Sequence, residues 1–172
     1  MHFNGDSLEK KEIDKNQDDE IAKIIGTFDP EKPDKVLLYF YVYIMKGECD
    51  KAWALFSKYS QQKILETSYD EMKESDEFYL QNEITSKMDL KKAFEENNPG
   101  LKEAFWLPFA VNSYAEFLIE YADFNVKIKK DNKALVEAVL KRTDGVEARL
   151  PFTMFYEDSS WRVGMIETAD EV

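Results

Sequence analysis

The chain has 172 residues, 44% hydrophobic and 14% aromatic, which is enough to bury one substantial core and excludes a disordered class. Its 35 acidic against 23 basic residues leave a formal charge of −12, which repels nucleic acid unless a strong basic patch intervenes, and none is apparent. The single cysteine, Cys49, excludes an intramolecular disulfide and a cysteine-based zinc site, and the longest apolar run, Val36 to Met45, is far shorter than the roughly 20 residues of a spanning helix.

The opening Met1-His2-Phe3-Asn4-Gly5-Asp6 lacks the basic start and apolar core of a signal peptide, so a cytoplasmic location is expected unless a leader was trimmed. Residues 1 to 20 are polar, with Leu8 and Ile13 too sparse for an apolar stripe. Ile21, Ile24 and Ile25 supply one docking turn. Asp29-Pro30-Glu31-Lys32-Pro33 then reads as a linker, because each proline restricts the residue before it. Residues 1–33 are therefore expected to be a partly disordered tail and linker, and 34–172 a single domain.

Val36 to Met45 suits a buried strand or a buried helix by composition. Asp34 as N-cap and Gly47 as C′ residue frame it as a helix. Asp50 caps a second helix, in which Trp53, Phe56, Ser60 and Ile64 share a face, and the two form a hairpin about Gly47-Glu48-Cys49. From Glu66 to Glu83 seven acids face the single base Lys73, which marks an acidic, solvated helical insertion near 66–86. Met88, Leu90, Ala93 and Phe94 give a short amphipathic helix ended by Asn97-Asn98-Pro99-Gly100. Leu101, Ala104, Phe105 and Phe109 are spaced helically, with Pro108 expected to kink or stop the helix.

From Tyr121 the period becomes two. Phe124, Val126 and Ile128 fall on one side and Asp123, Asn125, Lys127 and Lys129 on the other. Turn signals at Lys130-Asp131-Asn132-Lys133, Thr143-Asp144-Gly145 and Glu157-Asp158-Ser159 separate three further strands. Val146, Ala148, Leu150, Phe152, Met154 and Tyr156 form one face of the third, and Trp161, Val163 and Met165 one face of the fourth. Pro151 cannot donate to a ladder, which predicts a bulge or an unpaired position. The expected fold is α+β, with N-terminal helices packed on the concave face of a curved antiparallel sheet that ends in a four-strand C-terminal meander.

That order of elements resembles the nuclear-transport-factor-2-like superfamily, with its cystatin-like α+β cone. Lys46-Gly47-Glu48-Cys49-Asp50-Lys51-Ala52-Trp53-Ala54-Leu55-Phe56-Ser57 looks like its second-helix entry. Phe152-Thr153-Met154-Phe155-Tyr156-Glu157-Asp158-Ser159-Ser160-Trp161-Arg162-Val163 looks like its closing hairpin. The resemblance spans Asp34 to about Thr168, and the acidic insertion departs from compact members. It implies either a noncatalytic binder or an enzyme of the ketosteroid-isomerase or dehydratase kind, and fold alone does not choose.

The chemistry narrows the choice. His2, the only histidine, lies in the polar tail. Asp14, Asn16 and Asp18 hint at a calcium loop, but Asp19 stands where glycine is needed and Ile25 where a bidentate glutamate is needed. No metal or cofactor is expected. Isomerase chemistry needs an inward carboxylate beside a phenol such as Tyr39 or Tyr43, whereas the alternation turns Asp123 and Glu137 outward, subject to register. Tyr39, Tyr43, Trp106, Phe124, Phe152 and Tyr156 are the candidate lining of a pocket for a small apolar ligand, with ordinary core packing as the competing reading. Leu135, Val139, Phe155 and Ile166 form a candidate homodimer interface on the outer sheet face, with tail coverage or scattered exposure as the alternative. Cys49 reads as a packing residue. The leading expectation is a noncatalytic binding or protein-interaction domain.

Overall fold

The computed structural model describes residues 26–74, 77 and 81–170. The polar tail, the calcium-loop candidates, His2 and the isoleucines before Gly26 lie outside that range, as does part of the acidic segment.

Helix α1 (Pro33–Met45) begins with Pro33, whose fixed φ and missing N–H suit a first turn, so Asp34 falls one place inside the helix instead of capping it. It ends in a Schellman turn. Gly47 adopts φ 74°, its N–H donates to Ile44 O, and Glu48 N–H donates to Tyr43 O. The apolar run is thus a helix, with Val36, Leu37 and Phe40 fully buried.

The second predicted helix is two. After α2 (Cys49–Leu55), Phe56 is extended and bridges Val163 in parallel, and Ser57 N–H donates to Val163 O. Ser57 then caps α3 (Lys58–Lys73), accepting from Ser60 N–H at 3.1 Å. Trp53, Phe56, Ser60 and Ile64 are all buried as expected, but the break is required for Phe56 to reach the sheet. The acidic segment begins within α3, which continues from Glu66 to Lys73.

Helix α4 (Lys87–Glu95) is capped by Ser86 and buries Leu90, Ala93 and Phe94. The one-turn α5 (Pro99–Leu101) leads into a π-helical turn over Lys102–Trp106 and then α6 (Leu107–Asn112). Pro108 neither stops nor breaks this run. The wide turn just before it, closed by Leu107 N–H to Lys102 O, loosens the backbone where a proline ring would meet the carbonyl four residues back. Tyr114, at φ 56°, separates it from α7 (Ala115–Tyr121).

Four strands follow in spatial order β1-β2-β3-β4: β1 (Ala122–Lys130), β2 (Lys133–Lys141), β3 (Glu147–Glu157) and β4 (Ser160–Gly164). All neighbours are antiparallel. Asp158 and Ser159 both take positive φ, which matches a two-residue hairpin turn to the strand twist. The chain is α+β, with a helical N-terminal part and a C-terminal antiparallel meander, and no helix among the described residues is long and apolar enough to cross a membrane.

Register places the inner face. Val136 pairs with Val126 and Phe152, Ala138 with Phe124 and Leu150, and Ala134 with Met154. Trp161, paired with Tyr156, has the same parity, so Phe124, Val136, Phe152 and Trp161 face the helices together. Two strand expectations change, and Pro151 takes the second of its two expected forms. The bulge lies in β1, where the register slips between Val126 and Ile128; Ile128 consequently joins the outer face with Leu135, and Lys129 turns to the inner side, its Nζ 5.6 Å from the Trp161 ring centre. Pro151 stays in register with Glu137. Thr153 N–H points away from β2, to Thr168 Oγ1, so the donor-less Pro151 two residues earlier faces the same side, beyond the end of β4, as an unpaired position. Val146 and Leu150, expected in the core, are exposed: Val146 precedes β3, and Leu150 lies on the stretch of β3 that β4 does not flank.

β4 also ends earlier than its pattern suggests. Gly164 is the last strand residue and Met165–Asp170 forms helix α8; a Cβ at Gly164 would meet Thr153 O at 2.8 Å and the Phe155 ring at 2.6 Å, which is why glycine stands there. Glu167 ties α8 to α3, accepting from Ser57 Oγ at 2.7 Å and Ser60 Oγ at 2.8 Å.

Candidate functional site on the outer sheet face

The six candidate lining residues do not converge on one space. Tyr39 and Tyr43 lie on one side of α1, ring to ring with Phe28, and Tyr39 Oη donates to Gly26 O at 2.8 Å. Burial raises the Tyr43 phenol above the ordinary tyrosine range, with Lys51 and Glu48 acting against each other nearby. Trp106 stacks with Phe56 and meets Phe94, Phe105 and Phe109 edge-on. Phe124 and Phe152 instead meet Tyr41, which is 1% exposed and whose ionisation burial pushes strongly upward. Tyr156 packs on Trp161 and donates to the Glu31 carboxylate at 2.9 Å.

Tyr41 is therefore the phenol facing the sheet, while Tyr39 and Tyr43, two residues to either side, turn away from it. A helical residue two places along points about 200° around the axis, so once α1 is a helix, Tyr41 and the flanking tyrosines must separate. Among the described residues the buried polar side chains are Ser57, Ser60, Ser68 and Thr153. Glu137 lies on the outer face, 2.9 Å from Arg149, as the alternation predicts. Cys49 is 2% exposed, and burial pushes its thiol up to about 11 despite the nearby Lys102, consistent with a packing residue.

The asserted Asp29–Pro33 linker is docked. Trp161 N–H donates to Pro30 O at 2.9 Å, and Trp161 Nε1 donates to Glu31 O at 3.1 Å. This segment and Phe56-Ser57 cover the free side of β4. β1, at the other end of the sheet, has no strand beyond it among the described residues.

The outer face divides into two parts. At one end Val139 is 3% exposed although it stands outside the main core. Its cross-strand neighbours are Asp123 and Arg149, and above it Arg149 bridges Glu137 and Glu147 while Lys141 pairs with Asp123. Charged side chains lying along the sheet roof this end. At the other end Ile128, Leu135, Thr153 and Phe155 line an open groove of about 630 Å³, rimmed by the β1–β2 turn. Ile128 is 58% exposed, and Lys133 Nζ lies 5.9 Å from the Phe155 ring centre.

Of the four candidate interface residues, Leu135 and Phe155 thus share the groove and Val139 is sealed beneath ion pairs. Ile166 belongs to α8 and packs against the core, its N–H donating to Ser60 Oγ, because the chain leaves the sheet at Gly164. Ile128, the residue that completes the groove, falls on the opposite face by unbroken alternation; only the bulge brings it here. The turn carries a further feature, since Lys127, Lys129, Lys130 and Lys133 stand against Asp131 alone and all four lysines are exposed. In a chain of net charge −12 this is a local reversal of sign. No family model, curated protein or solved structure matches the chain.

Proposed function

We propose that the chain is a noncatalytic protein-interaction domain of the nuclear-transport-factor-2-like kind, docking through the open end of its outer sheet face. The observation that carries this reading is the groove of Ile128, Leu135 and Phe155, where large apolar side chains remain accessible while the other end of the same face is roofed by ion pairs. Exposed apolar surface concentrated between strands and rimmed by charge is the composition of a docking patch. The dispersal of the six candidate lining residues over separate aromatic groups supports docking over enclosure of a small apolar ligand, and the outward, ion-paired Glu137 supports it over isomerase-like chemistry, which needs an interior base.

A benzoylphenylalanine photo-crosslinker at Leu135 of the full chain, irradiated in cells that express it, tests the proposal. A discrete adduct from Leu135, absent when the label stands at the exposed Met88, is expected. Identical patterns from both positions, or no adduct from Leu135, would overturn it. Pairing of two copies through this face is a second outcome that sedimentation distinguishes; an isologous contact applies the same patch from each copy, bringing lysine-rich turns together.

A further inference from the structure

The docking surface adjoins a strand edge, and the two together specify a partner. Resting on the docking reading above, we propose that β1 accepts an extended acidic segment of a partner protein as an additional strand, with its acids on the lysines of the β1–β2 turn and an apolar side chain in the groove beside Ile128.

An open edge strand presents backbone donors and acceptors that pair with any extended chain. The segment from Asn125 to Lys130 runs roughly 20 Å at about 3.4 Å per residue, enough for a short added strand. The opposite edge cannot serve, because Trp161 N–H and Val163 O are already bonded to Pro30 and Ser57. Selectivity comes from charge. Lysines on an edge strand ordinarily guard against pairing with other copies, and here the guard works against any chain bearing the same lysines while favouring one that carries acids. Among the described residues no carboxylate pairs with Lys127 or Lys130, whereas Arg149 and Lys141 at the roofed end are taken up by Glu137, Glu147 and Asp123. Lys127 and Lys130 thus place positive charge where the groove and the edge meet. The bulge contributes directly, since turning Ile128 outward lets the same strand offer an apolar contact to the groove and a backbone edge to the incoming chain.

The test uses the isotope-labelled full chain and three short acetylated peptides: alternating glutamate and valine, alternating lysine and valine, and the glutamate peptide with a central proline. The glutamate peptide should shift and protect the amides of residues 125–130, bind about tenfold or more tightly than the lysine peptide, and weaken as salt is raised. The proline peptide, lacking a ladder donor, should bind less tightly. Reversing charge with Lys127→Glu and Lys130→Glu together should invert the preference between the glutamate and lysine peptides. Unmoved and unprotected amides at residues 125–130, equal binding of the two charged peptides, or an unaffected proline peptide would overturn strand addition. A Leu135 adduct combined with unmoved β1 amides would leave docking standing and remove only the strand-addition inference; loss of the adduct would remove the reading beneath it.

Discussion

The two edges of the sheet are built differently. β4 is short, and its outward backbone groups are bonded by segments distant in sequence, Pro30 before α1 and Ser57 before α3. Its inward side chains are buried as well: Trp161 is 2% and Val163 0% exposed. β1 is longer, exposed from Asn125 to Lys130, bears lysines, and has no strand beyond it among the described residues. One edge is closed by the chain itself and contributes to stability; the other is guarded by charge and contributes little. A sheet open at one edge can keep its core intact while leaving a surface for docking.

Disrupting the closed edge should have the largest effect. Trp161→Ala removes a buried indole and its hydrogen bond to Glu31 O, and should destabilise by about 3–5 kcal/mol, read as a lowered urea midpoint with an unchanged slope. Ser57→Ala removes the cap of α3 and the bond to Glu167 and should lower stability by about 1–2 kcal/mol on the same scale. A loss as small as that of an exposed substitution would show that the junction of α2, α3 and α8 does not hold the β4 edge.

Glu31→Gln probes the outermost part of the closure. The Tyr156 phenol is held above its ordinary range first by its hydrogen bond to Glu31 and then by burial and the carboxylate charge. A raised folded value means that this contribution is present below the ordinary tyrosine range, near 10, and is lost as pH rises through the raised value. The substitution should move the Tyr156 absorbance titration back down and lower the melting temperature slightly at neutral pH. An unmoved titration would show that Glu31 is not bonded there in solution. The smallest effect belongs to the open edge. Ile128→Ser should change stability by no more than about 0.5 kcal/mol, and a larger loss would mean that Ile128 is buried, against the contrast between the edges.

Much of the fold was legible locally. Gly47 and the punctuation at Asp158-Ser159 mark turns by backbone chemistry, and period-two alternation located all four strands and turned Glu137 outward. The candidate sites were less legible, because they depend on where separate elements meet. Periodicity from Phe124 onward assumes an unbroken register, and a single slipped residue at Lys127 moved Ile128 to the other face. Composition marks Tyr39 and Tyr43 by their phenols, but the 3.6-residue helical repeat separates them from Tyr41 and directs Tyr41 to the sheet.

By itself the sequence determined the class: enough apolar residues for one core, one cysteine, a helical N-terminal part and four alternating runs. These follow from local sterics and burial, which act over a few residues. Tertiary structure alone decided that Pro30 and Phe56-Ser57 close β4, that ion pairs roof Val139, that Ile166 leaves the sheet, and that Ile128 meets Leu135 and Phe155. Each joins residues far apart in the chain through hydrogen bonds, register or charge, and no local pattern encodes which distant group will arrive.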